Sequence, residues 1–295
     1  MPSVSDREPI YLREYRAFEL IPVIARDGFA LRVWESGPAA APRVVIVNPI
    51  GVPLVIGARL ARELAESHRV ICFEQRGYLA YPGEFETRPH DFSVFVSDLV
   101  HVVSQRADSS CTLIGICTGA AQAVRAIAGG ALSVANLVLV SPLVRLSEGY
   151  SPSLFDRGMV PYLNAIAKGD EKIAGEMLAM RAASRQQIRV PPPSDDEIMV
   201  DAADTASLDT LASLSRYART VRDFAAERFD EDLRKVAQPV LVVCAEDDKT
   251  VSINSVRTLC ALLPAAELKV LAKGGHYLLY VSDEARQLIR GWLPA

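Results

Sequence analysis

The sequence predicts an α/β fold in which a mostly parallel central sheet is flanked by helices and carries a helical insertion. Short, continuous apolar runs at 44–47 and 240–243 are typical of parallel strands that other elements cover on both faces. These runs alternate with segments of helical periodicity, as in sheets whose parallel strands are joined by crossover helices. With 295 residues, 50% of them apolar, the chain is long enough to bury one large core.

The remaining elements follow in chain order. Residues 15–24 and 29–34 predict an antiparallel hairpin, and Asp27-Gly28 suits its turn because glycine tolerates a positive φ. A helix at 57–67 is indicated by Leu60 and Leu64 on one face and charged side chains on the other. Further strands are expected at 69–73, 112–114, 137–140 and 270–271, and further helices at 92–105, 120–126 and 283–292.

The strand pattern stops in the middle of the chain. We therefore expect residues 1–142 and 239–295 to form the two parts of the core, and residues 143–238 to form a helical lid. Helices are predicted there at 160–166, 172–183 and 206–226, with a break at the prolines of 191–194. Apolar lid side chains are candidates for substrate binding, although their spacing is more typical of packing between lid helices: Met177, Leu178, Met180, Leu211, Leu214 and Tyr217.

Composition excludes several classes of partner and site. The formal net charge is −4 and no basic run stands out, so neither a nucleic acid nor a membrane surface is an expected partner. The N-terminal residues lack an apolar segment, and we expect a soluble, cytoplasmic protein. The five cysteines are scattered without CxxC pairs, which argues against a disulfide framework and a zinc site. No cofactor is predicted, and the sequence leaves the oligomeric state open.

The segment Gly115-Ile116-Cys117-Thr118-Gly119 follows an apolar run and precedes a helical one. It is typical of a nucleophile elbow, with cysteine where serine is usual. The central residue of such an elbow lies in a strained turn, and glycine is needed two positions away on either side because a side chain there would collide with crossing backbone. The alternative interpretation is a turn of small residues around a buried, inert thiol.

Two later segments supply the partners that such a nucleophile needs. An acidic loop, Glu246-Asp247-Asp248, follows the strand at 240–243, and His276 lies in a glycine turn near the C-terminus. The order Cys117, Asp248, His276 resembles that of the α/β-hydrolase fold family, and the resemblance extends from about Phe18 to the end of the chain. The other histidines, His68, His90 and His101, precede the elbow and are interpreted as surface or satisfied polar residues.

The resemblance implies further roles. In this family the acid lies three residues after the turn position held here by Ala245, which favours Asp248 over the adjacent Asp247. The loop that usually reads His-Gly is here Asn48-Pro49-Ile50-Gly51. Because Pro49 has no N–H, the implied oxyanion donors are the backbone amides of Ile50 and Thr118. Arg76, in a turn similar to the family's Asp-x-Arg-Gly, is expected to be structural.

These roles predict acyl transfer through a covalent acyl-cysteine intermediate. The expected substrate is an acyl thioester of coenzyme A or an acyl carrier protein, and the enzyme would be a thioesterase or an acyltransferase. One alternative is lactone or ester hydrolysis, since dienelactone hydrolases have a similar elbow, although they lack a long insertion. Another alternative is a non-catalytic binding module. The presence of all three residues, Cys117, Asp248 and His276, argues against it.

Overall fold

The computed structural model describes residues 14–76, 91–186 and 194–294. Its strands are β1 (Glu19–Ile24), β2 (Ala30–Ser36), β3 (Arg43–Val47), β4 (Arg69–Phe73), β5 (Thr112–Ile116), β6 (Asn136–Val140), β7 (Val240–Ala245) and β8 (Ala266–Leu271). In these ranges they form one eight-stranded sheet in the order β1-β2-β4-β3-β5-β6-β7-β8. β2 pairs antiparallel with β1 and β4, and all other neighbours are parallel. The predicted fold class is confirmed.

The helices of the core come before and after the insertion in the chain, and a second group of helices forms the insertion itself. Those of the core are α1 (Val55–Leu64), α2 (Phe92–Arg106), α3 (Thr118–Ala128), α10 (Ile253–Leu262), α11 (Leu278–Val281) and α12 (Asp283–Trp292). Those between β6 and β7 are α4 (Leu154–Gly158), α5 (Val160–Ala167), α6 (Glu171–Gln186), α7 (Asp195–Thr205), α8 (Leu211–Ala225) and α9 (Asp230–Lys235). None of the helices in the described ranges is long and apolar enough to cross a membrane.

The central strands explain why their sequences are continuously apolar. Every residue of β5 and of β7 is buried, because helices cover both faces of a parallel sheet. The hairpin prediction is correct for β1 and β2, and Gly28 has a φ of 81° in its turn. The strand predicted from residue 15 is wrong at its start. Tyr15 precedes β1, fully buried, and its hydroxyl donates to the Leu54 carbonyl at 2.9 Å.

The chain between β6 and β7, which we call the cap (residues 143–238), contributes no strand in its described residues. The predicted helices at 160–166 and 172–183 correspond to α5 and α6. The single helix predicted at 206–226 is wrong, because a short 3-10 turn at Ala206–Leu208 precedes α8. Thr210 caps α8 by accepting a hydrogen bond from the Ser213 amide at 3.1 Å. The predicted proline break lies outside the described residues, apart from Ser194, which caps α7.

Arg76 connects three elements of the core. Its guanidinium pairs with Asp98 of α2 at 2.5 Å and with Asp27 of the hairpin turn at 2.6 Å, and the Arg76 and Asp98 side chains are both buried. A buried charge is tolerated only when it is paired in this way. The arginine therefore braces the end of β4 against the hairpin, the structural role that the turn's resemblance implies.

Candidate active site

Cys117 lies in the sharp turn between β5 and α3. Its φ of 52° and ψ of −117° are unusual for a residue other than glycine, and neighbouring hydrogen bonds hold this strained conformation in place. The Cys117 amide donates to the Val140 carbonyl at 2.9 Å, and its carbonyl accepts from the amides of Ala120 and Leu143. The turn places the sulfur at the carboxyl edge of the sheet, under the cap.

The two glycines of the elbow are required by close backbone approach. A Cβ at Gly115 would lie 2.6 Å from the Cα of Ala120, and a Cβ at Gly119 would overlap the carbonyl oxygen of Val47. Neither contact is sterically possible, since both partners are backbone atoms. The predicted reason for glycine at both positions is confirmed.

His276 and Asp248 meet beside the elbow. The imidazole Nδ1 lies 3.0 Å from Asp248 Oδ2, and both side chains are largely withdrawn from solvent. The second carboxylate oxygen of Asp248 accepts from the amides of Thr250 and Val251 at 2.8 and 2.9 Å. Because an ionised carboxylate only accepts, Nδ1 carries the proton and Nε2 is the ring nitrogen left for Cys117.

The adjacent Asp247 has a different task. Its carboxylate accepts from the amides of Gly275 at 2.8 Å and Gly274 at 3.4 Å, both in the turn that carries His276. Asp247 therefore shapes the loop, whereas Asp248 contacts the ring. The sequence left two neighbouring acids to choose between, and the structure places Asp248 against the imidazole.

The electrostatics favour the charged forms of His276 and Asp248. Burial lowers the pKa of His276, but the neighbouring Cys117 side chain and the Asp248 carboxylate hold that pKa well above its usual range. Burial likewise raises the pKa of Asp248, but the imidazolium and two backbone amides hold it below its usual range. A histidine that is held in its charged form beside a cysteine favours the thiolate form of that cysteine.

The two implied oxyanion residues are in direct contact, and this contact corrects the role expected of the Ile50 amide, because its N–H is already bonded to the Thr118 side chain and is not free for an oxyanion. The Ile50 amide, in the loop after β3, donates to the Thr118 hydroxyl oxygen at 2.8 Å. Thr118 is the first residue of α3, so its own amide has no acceptor within the helix. Both residues line the same cavity as Cys117 and His276.

That cavity, the catalytic cavity, has a volume of about 460 Å³ and is closed on one side by cap residues that include Tyr217. A second cavity of about 750 Å³, which we call the cap groove, lies within the cap and is lined by Met177, Met180 and Leu214. Leu178 instead packs against the buried side chains of the cap, and Leu211 lines neither of these two cavities.

Sequence reasoning missed several residues of the site. Met159, Arg181 and Asp201 line both cavities, and Arg145 and Lys249 line the catalytic one. Nothing in their spacing marks them, because they come from different elements that only the packed cap brings together. Two of the other histidines lie elsewhere: the His68 ring contacts Ser67 Oγ and the Pro294 carbonyl, and His101 is on α2. His90 lies outside the described residues.

The remaining cysteines differ from Cys117 in having no histidine partner among the described residues. Burial raises the pKa of Cys72 and of Cys244 to about 12, and that of Cys111 and of Cys260 to about 11. A thiol reacts as its thiolate, so these four are poorly reactive at neutral pH.

We therefore expect iodoacetamide to modify Cys117 faster than the other four cysteines. Cys260 is the internal reference because it is only half-buried, whereas the other three are buried. His276→Gln removes the imidazolium and should slow the modification of Cys117 without changing that of Cys260. Peptide mapping over a time course measures each rate. Slower labelling of Cys117 than of Cys260 in the wild type would contradict the assignment.

Comparisons with known proteins identify the family to which the chain belongs. The model of the alpha/beta hydrolase family matches residues 44–290. A putative carbamate hydrolase, RutD of Shigella flexneri, is 22% identical over 240 residues, which cover 81% of this chain and 85% of the relative. Among solved structures, an esterase from Rhodococcus superposes with a TM-score of 0.69 at 20% identity, over 92% of this chain and 98% of the esterase.

An enol-lactonase from Burkholderia xenovorans superposes with a TM-score of 0.68 at 16% identity, over 92% of this chain and 98% of the lactonase. At these identities the two structures bear on the fold, whereas the family match covers most of the chain and includes the elbow, the acidic loop and His276. The chain belongs to the alpha/beta hydrolase family, whose members compared above include hydrolytic enzymes.

Proposed function

We propose that this protein is a cysteine-dependent acyl-transfer enzyme that acts on acyl thioesters of coenzyme A or an acyl carrier protein. The observation that carries the proposal is the chain of contacts from Cys117 to His276 to Asp248, at the tip of an elbow and inside a cavity. Serine would suffice at this position for ordinary ester hydrolysis, so the cysteine calls for its own explanation.

In the first step the Cys117 thiolate attacks the carbonyl carbon of the thioester. The tetrahedral intermediate places its negative charge on the former carbonyl oxygen, near Ile50 and Thr118. Collapse breaks the bond from carbon to the carrier's sulfur, and the proton on His276 Nε2 passes to that leaving thiolate. The products are an acyl-Cys117 thioester, a free carrier thiol and a neutral imidazole.

In the second step the acceptor replaces the carrier. Neutral His276 takes a proton from water, an amine or a thiol as that group attacks the acyl carbon, and the Cys117 thiolate leaves. The imidazolium beside the thiolate is thereby restored. Asp248 stabilises the imidazolium and fixes the ring in both steps without itself changing its protonation state.

Sulfur chemistry supports thioester substrates. Exchange of one thioester for another costs little free energy, and the acyl-cysteine stays more reactive towards amines and thiols than an acyl-serine ester. The cap covers one side of the cavity, and this cover limits the entry of water to the intermediate. Both features favour transfer to an acceptor, with hydrolysis as the outcome when water is that acceptor.

A hydrolase for which water is the only acceptor is the second candidate. It is favoured by the similarity to the putative carbamate hydrolase of Shigella flexneri, whose described activity is hydrolytic. The same Cys117 intermediate serves either reaction, and the two candidates differ in what resolves it. Lactones and esters are the substrates to compare with thioesters.

The experiment compares how the acyl group is divided between water and added acceptors in the wild type and in Cys117→Ser. We expect the wild type to transfer acyl groups from coenzyme A thioesters to amines or thiols. Cys117→Ser should keep some hydrolysis of activated esters and lose most of this transfer, because an oxygen ester is a poorer acyl donor and a serine hydroxyl depends more on a general base. Free acid as the only product with every acceptor, at equal rates in both proteins, would favour the second candidate.

A further inference from the structure

The catalytic cavity and the cap groove share four lining residues. Met159, Arg181, Asp201 and Leu208 line both spaces. The Arg181 side chain is held by Asp209, whose carboxylate lies 3.1 Å from Nε. The two cavities are therefore neighbours, and a long ligand with its carbonyl carbon at Cys117 would reach the cap by passing these side chains.

The lining of the cap groove is mainly apolar, and its polar members are Glu176, Ser184 and the shared Arg181 and Asp201. Three of its apolar side chains remain unusually exposed: Met180 at 74%, Tyr162 at 53% and Ile198 at 42%. Exposed apolar side chains that gather around one groove mark a binding site. The unbranched methionines Met159, Met177 and Met180 suit a ligand of variable length.

We propose that this cap groove binds the distal apolar chain of the acyl group, so that the preferred substrates are thioesters of medium- and long-chain acids. This inference rests on the proposed function, because it places the reacting carbonyl at Cys117. The acyl chain is a better occupant than the carrier arm, since the arm's amides and phosphate would lose hydration in an apolar groove. The groove is defined by the described residues alone.

Two glycines of the cap offer a matched test. A Cβ at Gly158, which lines the groove, or at Gly175 of α6, which does not, meets no atom within 4 Å, and neither glycine has a positive φ. Gly158→Phe should fill the groove, and Gly175→Phe adds the same ring to the surface. The quantities to be measured for the wild type and both variants are kcat/KM for acetyl-, butyryl-, hexanoyl-, octanoyl- and decanoyl-coenzyme A, and the Kd of decanoate by calorimetry.

In the wild type kcat/KM should rise with chain length, by roughly fourfold for each methylene that the groove buries. Gly158→Phe should lower kcat/KM for decanoyl-coenzyme A and weaken decanoate binding by at least about tenfold, while acetyl-coenzyme A is unaffected. Gly175→Phe should match the wild type throughout. Equal decanoate binding by all three proteins would overturn the proposal that the groove binds the acyl chain. Tight, Gly158-dependent decanoate binding without any acyl-Cys117 would keep the groove and refute the proposed function.

The contact between Ile50 and Thr118 carries a second, independent inference. A hydroxyl accepts and also donates one proton. The Thr118 oxygen already accepts the Ile50 N–H, and its own proton donates to no other described residue. We infer that the Thr118 hydroxyl donates to the oxyanion, and that the Ile50 amide acts through this hydroxyl, polarising it. This assignment requires that Cys117 is the acylated residue.

Thr118→Val keeps the shape of the side chain and removes the hydroxyl, whereas Thr118→Ser keeps it. The release of p-nitrophenol from p-nitrophenyl acetate reports acylation of Cys117. Thr118→Val should lower the acylation rate by about 10²-fold with little change in KM, and Thr118→Ser should restore most of it. Alkylation by iodoacetamide forms no oxyanion, so its rate should be equal in all three proteins. A wild-type acylation rate in Thr118→Val, or an equal loss of alkylation, would overturn the inference.

Discussion

Cys117→Ala is expected to reduce acyl transfer and hydrolysis by at least about 10³-fold, to the level that binding and oxyanion contacts alone support. The substitution removes only the sulfur that His276 contacts. It leaves a small side chain in the strained turn, where Cys117 is 6% exposed. Steady-state kinetics with coenzyme A thioesters and with p-nitrophenyl acetate measure the loss.

The fold should survive this change. We expect the Tm to stay within a few degrees of the wild-type value, because neither glycine of the elbow is altered. Cys260→Ala, at the half-buried cysteine of α10, is the matched control and should keep full activity. Substantial turnover by folded Cys117→Ala would rule out a covalent mechanism through this residue.

Asp248→Asn is expected to lower kcat by about 10²-fold or more, and Asp247→Asn by much less. Asp248 contacts the imidazole at 3.0 Å and stabilises its charged form, whereas Asp247 accepts hydrogen bonds only from the glycine turn in the described residues. An amide at position 248 can present its NH₂ to Nδ1, which favours the wrong ring tautomer. A larger loss for Asp247→Asn would transfer the role to that residue.

The same variant should change the pH dependence. The Asp248 carboxylate is one of the two charges that raise the pKa of His276, so its loss lowers that pKa. The imidazolium then persists only to a lower pH, and the limb of the kcat/KM profile that reports its deprotonation should move to lower pH. Asp247→Asn should leave this limb in place. The measurement is kcat/KM across the pH range in which each variant stays folded.

The parts of the site that the sequence predicts are those fixed by local rules. The elbow is identifiable because both of its glycines are required by nearby backbone. Gly115 faces Ala120 five residues later, and Gly119 faces Val47 on β3, the neighbouring strand in the sheet. The strands β3, β4 and β6 are identifiable because the four residues after the first of each strand are buried, and that burial demands a continuous apolar run. His276 is identifiable because the family order places the catalytic histidine last in the chain, and His276 lies in a glycine turn after the final strand.

Other features depend on packing that no local pattern records. The contact between Ile50 and Thr118 joins residues 68 positions apart. The side chains that line both cavities come from α6, α7, the turn before α8 and the junction of α4 and α5. The break in the helix predicted at 206–226 was detectable in principle, since Thr210 and Ser213 form a helix cap. Five short or capped helices are not predicted because their apolar periodicity is weak or brief: α4, α7, α9, α10 and α11.

The most direct test of the account is the mass of the intact protein after brief mixing with octanoyl-coenzyme A and rapid acid quenching. We expect the wild type to gain the mass of one octanoyl group, peptide mapping to place that group on Cys117, and an added amine or thiol to hasten its loss. Cys117→Ala should gain nothing. Turnover of the thioester with no adduct on Cys117 in wild type or in the slower Asp248→Asn variant, or an adduct on another residue, would contradict the account.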